Sequence, residues 1–167
     1  MRKTDVDLLF SYNRWANARI LAACQGISAE ELAAPAAVSF GSLLGTLAHI
    51  LGAESVWRMR LQQGASPRQM VQSAAFPDLE SLAKRWNEEE AAMQGFVAIL
   101  KDADMERKVR FTRLNGSEEE ATVWKALVHV VLHGMQFRAE AGVLLSALGR
   151  SPGDLDFLVY LRDIGAR

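Results

Sequence analysis

The sequence is short of the residues that staple, interrupt or charge a chain. Its one cysteine, Cys24, excludes an internal disulfide and fits a reducing compartment, so a cytoplasmic protein is expected. Set at helical spacing among Ile20, Leu21 and Ala23, that cysteine reads as a small core residue and not as a nucleophile. Net charge is almost absent: 19 Lys and Arg stand against 20 Asp and Glu, scattered and not gathered into a stripe. A nucleic-acid partner is therefore not expected, because phosphate neutralisation needs a concentrated basic surface. The one basic cluster, Arg107, Lys108, Arg110 and Arg113, is answered at once by Glu118, Glu119 and Glu120. No uninterrupted apolar run approaches the ~20 residues of a membrane-spanning helix. The best stretch, Ala126 to Leu132, contains His129. No secretory leader is read at Met1-Arg2-Lys3-Thr4-Asp5, and GxSxG, GxxxxGK[ST], CxxC and GxGxxG are all missing.

What is present is length and apolar periodicity. A chain of 167 residues with 50% hydrophobic residues suits one domain, spanning residues 1–167, that buries roughly two-thirds of its unfolded surface. Four long helical segments are predicted from periodicity and end signals. The first runs from about Asp5 to Gln25 with an apolar stripe through Leu8, Leu9, Tyr12, Trp15, Ala16 and Ile20, and Gly26 stops it. Ser28 to Glu31 reads as a capping box for a short turn. The second runs from about Ser42 to Gln63 before Gly64 and Ser66-Pro67. Leu43, Leu44, Leu47 and Leu51 form one of its faces, and Ser42, Gly45, His49, Gly52 and Ala53 the other. Covered on both sides, with small residues admitting a neighbouring helix, it should hold His49 in the interior.

The third runs from about Asp78 to Asp102, its buried side marked by Leu79, Leu82, Trp86, Met93, Phe96, Val97 and Leu100; Glu88, Glu89 and Glu90 read as a solvated face. Between Glu106 and Thr122, Asn115-Gly116 signals a tight turn between two short strands, while Ser117 to Glu120 could instead be a helix capping box. The fourth helix runs from about Val123 to Leu148, followed by Gly149, a Ser151-Pro152 breaker and a short segment around Phe157 to Leu161. The expected fold class is all-α: a four-helix bundle, antiparallel or with crossovers, carrying a small β-ribbon or irregular insertion before the last long helix.

The residues able to carry chemistry are the three histidines. His129 and His133 are spaced i,i+4, so both imidazoles can face one point from one side of a helix. His49, on another buried helix, can supply a third nitrogen across the bundle. Three neutral nitrogens with an open position suit Zn²⁺, Ni²⁺, Fe²⁺ or Cu²⁺ better than Mg²⁺ or Ca²⁺. The competing reading is plain packing, since a histidine among Val128, Val130, Val131 and Leu132 can sit in a core with one ring nitrogen bonded to a carbonyl. Glu54 and Arg58 have the spacing of a surface ion pair, Glu140 shares the face of His129 and His133 as a carboxylate near the ligands, and Trp15 and Trp57 read as core or interface aromatics.

Three stretches, taken in order, carry a resemblance. They are Tyr12-Asn-Arg-Trp-Ala-Asn17, Leu47-Ala-His49-Ile-Leu-Gly-Ala-Glu54-Ser-Val-Trp57, and His129-Val-Val-Leu-His133-Gly-Met-Gln-Phe-Arg-Ala-Glu140 with Ser151-Pro-Gly-Asp-Leu-Asp156. Together they resemble the DinB/YfiT-like family of bacterial four-helix proteins, described as metalloenzymes. The resemblance implies a bundle, a homodimer, and a divalent metal, zinc, nickel or iron, held by three histidines. It also implies chemistry on a small molecule, of the kind carried out by thiol-dependent S-transferases with low-molecular-weight thiols. His49 matches the family's first ligand. The family's fourth-helix pattern maps onto His129, Leu132, His133, Phe137 and Arg138, so Phe137 stands where many relatives have a ligand and His129 would have to substitute. The ligand set expected is His49, His129 and His133. The alternative is a degenerate, metal-free bundle acting as a small-molecule binding or dimeric interaction module, with Phe137 filling the vacated place.

Overall fold

The structure is a computed structural model that describes residues 1–113 and 115–166. Four long helices carry it: α1 (Lys3–Ala23), α3 (Leu43–Arg58), α4 (Leu79–Ile99) and α5 (Val123–Ala147). Shorter helices α2 (Ala29–Ala33) and α6 (Phe157–Asp163) follow α1 and α5. The predicted end signals act as local physics requires. Ser28 accepts the Glu31 amide while Glu31 reaches back to Ser28. Ser42 accepts from the Gly45 amide at 2.9 Å, and Asp78 from the Ser81 amide at 2.8 Å. After Arg58 the second long segment widens into a π-helical turn, Met59–Gln63, and ends on Gly64 at φ 65°. The third ends at Ile99, earlier than expected, because Leu100 turns extended and Asp102 instead begins a short 3₁₀ turn.

A two-stranded antiparallel ribbon, β1 (Lys108–Thr112) with β2 (Glu118–Thr122), precedes α5, with Arg110 opposite Glu120 and Phe111 opposite Glu119. The strand reading of this stretch therefore holds, and Ser117 to Glu120 caps no helix. Across the ribbon Lys108 and Arg110 meet Glu120, and Arg113 meets Glu119, so three of the four members of the basic cluster are answered locally.

Helix α5 lies against α1 and α3, and α4 lies against the same two. Consecutive helices α1 and α3 thus face each other diagonally, as do α4 and α5, and the crossing connections carry α2 and the ribbon. Buried Cys24 belongs to one core cluster with Ile20, Leu47, Leu51, Leu82, Trp86 and Leu145. A second cluster at the other end joins Val6, Leu61, Met93, Phe96, Met105, Val109 and Leu127. Trp15 packs at the bundle edge with Tyr12 and Tyr160. Among the described residues no helix is long and apolar enough to cross a membrane.

Between the two apolar clusters the helices contribute a layer of polar side chains: Asn13 and Asn17 from α1, Glu54 from α3, Glu89 from α4, and His133 and Arg138 from α5. Two expectations are corrected here. Glu54 is 3% exposed and makes no ion pair with Arg58; Arg58 turns instead to α4, where its Nη2 donates to Glu89 at 2.9 Å. Glu89 is 0% exposed, not solvated, and takes Arg85 as well at 3.2 Å. The i,i+4 rule locates neighbours on one helix and is silent about a better partner on the next. A carboxylate buried between two guanidinium groups keeps strong partners that a surface pair lacks.

Candidate functional site

Helix α3 presents Gly45, His49 and Gly52 on one face. A Cβ on Gly45 would lie 2.2 Å from the Phe40 carbonyl, and one on Gly52 would lie 3.1 Å from the Met70 Cε. The cover over this face is therefore two crossing loops and not the neighbouring helix that the small residues suggested. Phe40, from the loop before α3, stacks on the His49 ring with centroids 3.6 Å apart and planes at 18°. His49 is consequently half-buried.

From α5, His133 reaches the same point. His49 Nε2 and His133 Nε2 are 3.0 Å apart, and the ring centroids are 4.8 Å apart. The Phe137 ring stands 4.6 Å from each of the two imidazoles. His129, one turn before His133, has its ring centroid 5.6 Å from that of His133 and lies edge-on to Trp57 at 5.2 Å. It is exposed, outside the interior position expected of it. The structure thus brings His49 and His133 together and sets His129 beside them in a row. Among the described residues no three His, Cys, Asp or Glu side chains form a group arranged to hold a metal ion. Glu140, on the same face of α5, accepts from the Ser39 amide at 3.1 Å and from the Ser39 hydroxyl at 2.6 Å, tying the Phe40 loop to α5.

Electrostatics keep the imidazoles neutral. Burial, then the neighbouring His49, His129 and Arg138, lower His133 to about 4. Burial lowers His49 too, against the opposing pull of Glu140. Desolvation and the Arg60 guanidinium lower His129.

Directly below lies a network that the sequence reading missed. Arg138 Nη1 donates to Asn13 Oδ1 and to Asn17 Oδ1, each at 2.7 Å. Asn13 and Asn17 in turn donate to Glu54 Oε1 at 2.7 and 3.1 Å. The two amides thus relay a buried cation to a buried carboxyl across the bundle diagonal. Burial raises the Glu54 pKa and lowers that of Arg138, each opposed by the network. Gly134 makes room for it: a Cβ there would stand 2.6 Å from Arg138 Nη1. One signal could have revealed this network, since Asn13 and Asn17 fall at i,i+4 in line with the apolar stripe of α1.

Four long helices with crossover connections and a two-stranded ribbon before the last of them define the fold class. The model of the DinB family matches residues 1–164, and the chain belongs to that family. No curated protein matches the chain.

Proposed function

We propose that the chain is a cytoplasmic DinB-family enzyme in which His49 and His133 hold a divalent metal ion, zinc, nickel or iron, and His129, whose ring centroid stands 5.6 Å from that of His133, turns toward the pair as third donor when the ion binds. The observation that carries this reading is the 3.0 Å approach of the two Nε2 atoms. Two imidazoles bound to one ion at about 2.0–2.1 Å have nitrogens roughly 3–3.4 Å apart, so the pair fits. The donor chemistry fits as well. With His133 lowered to about 4 and His49 also lowered, both rings are neutral near pH 7; at 3.0 Å one Nε2–H donates to the other Nε2, and an ion would take the place of that proton. Such an ion would lower the pKa of a small thiol and favour its thiolate. Around it, Phe40 stacks on one face of His49, Phe137 packs against both imidazoles, and Trp57 lies edge-on to His129. A homodimer is part of the proposal. Leu132, Met135 and Val143 stand exposed along α5 as a surface for it, and sedimentation velocity at micromolar concentration measures the assembly.

Phe137 supports a second reading. Its ring lies against both histidines where a third ligand would be expected from the family pattern, which suits a metal-free binding module. Metal analysis of untagged protein, loaded with zinc and then desalted, separates the two. Close to one equivalent is expected in the native chain and only trace in His49→Ala and His133→Ala. Equal trace metal in all three would favour the second reading. Phe137→His is expected to tighten zinc binding at least tenfold.

A further inference from the structure

Beside His49 a cleft of about 370 Å³ opens between α3 and the segment that follows the π turn. Its floor is the bare face of α3, with Gly45, Ala48 and His49; its walls are Phe40 on one side and Arg68 to Ser73 on the other. Gly52 admits the Met70 side chain at the back, and Gln72 Nε2 donates to the Met70 carbonyl at 3.0 Å, which fixes the bend of the wall. The glycine spacing around His49 shapes the cleft: a Cβ on Gly45 would collide with the Phe40 carbonyl, while one on Gly52 would press on the end of the Met70 side chain. Its charge is one-sided. Arg68 is the single formally charged lining residue, it is exposed, and it makes no ion pair with any described residue. The apolar cavity lined by Tyr12, Met135 and Phe157 is different, carrying Asp154 and Asp156 as well as Arg138, which is already tied to Asn13 and Asn17, among its lining residues.

We infer that this cleft binds a small organic carboxylate, with its anionic end on Arg68 and its apolar body between Phe40 and Met70, reaching His49. A planar guanidinium with no carboxylate partner matches one carboxylate in bidentate fashion. A single guanidinium matches the charge of a monoanion better than that of a phosphate. The volume lies at the small end of ligand sites, so the guest is small, and apolar walls with one orienting charge set its character. This inference deepens the reading of His49 as part of a functional centre by naming the substrate class.

The test follows the His49 ring resonances by NMR during titration with phenylacetate and, separately, with phenylacetamide, its uncharged counterpart. Saturable shifts are expected with the acid and none with the amide. Arg68→Gln is expected to weaken phenylacetate binding at least tenfold, and Arg68→Lys to restore part of it. Equal responses to acid and amide, no response to either, or unchanged affinity in Arg68→Gln would overturn the inference. A zinc titration of the native chain and of Arg68→Gln separates this from the metal reading. Loss of zinc binding with intact phenylacetate binding removes the ion and leaves the carboxylate site. The reverse result removes the carboxylate site alone.

Discussion

Two polar regions share α3 and α5 at the same offset: His49 precedes Glu54 as His133 precedes Arg138. The two are resolved in opposite ways. Glu54 and Arg138 are wrapped by Asn13 and Asn17 and cut off from water, at 3% and 1% exposure. The imidazoles have each other, an aromatic cover and an open side. A buried charge without partners is costly, so the lower network must be closed for the bundle to fold. Neutral imidazoles carry no such penalty, and the upper pair is free to be spent on a ligand. Position along the bundle axis thus separates a structural polar group from one available for chemistry.

That contrast breaks first at the lower network. Glu54→Ala is expected to destabilise the protein by about 3–5 kcal/mol, because it leaves Arg138 buried without its relayed counter-charge. His49→Ala is expected to cost less than about 1 kcal/mol, since its site is half-open. Urea denaturation of the two variants measures both, and equal losses would erase the distinction. A smaller effect is expected from Gly134→Ala, whose methyl group meets the Arg138 guanidinium at 2.6 Å. The loss should be about 1–3 kcal/mol, read from the same curves.

The upper pair has its own signature in pH. An unfolded histidine takes up a proton near 6.5, whereas folded His133 does so only at about 4. Above the unfolded value neither state is protonated and there is no effect. As pH falls from about 7 towards 4 the unfolded state gains the proton first, so the fold loses stability. Discounted for partial solvent exposure, the loss is on the order of 1–2 kcal/mol. His133→Asn should flatten this part of the profile, and an unchanged slope would show that His133 is not the group responsible.

Much of the architecture was readable because it is written locally. Ser28, Ser42 and Asp78 begin helices through their own side chains, and Asn115-Gly116 marks a turn between strands that form. The gathering of His49 with His133 followed from two faces expected to meet inside a bundle. What escaped was set by partners far along the chain. Glu54 and Arg58 have the spacing of a pair, yet Glu54 turns to Asn13 and Asn17 on α1 while Arg58 finds Glu89 on α4. Glu89 was lost in a run of three glutamates whose members differ only in which side of α4 they occupy. The cover over His49 was invisible for the same reason: small residues announce a close approach without saying whether a helix or a loop makes it. His129 followed the i,i+4 rule onto the right side of α5 but lies too near the edge to be enclosed.

The measurement that bears most directly on the central claim is a long-range ¹H–¹⁵N spectrum of the histidine side chains of untagged protein, recorded as zinc is added. The Nε2 signals of His49 and His133 are expected to move together and to stop at one equivalent. Movement of one ring without the other, or of neither, would mean that the two imidazoles only touch and share no ion.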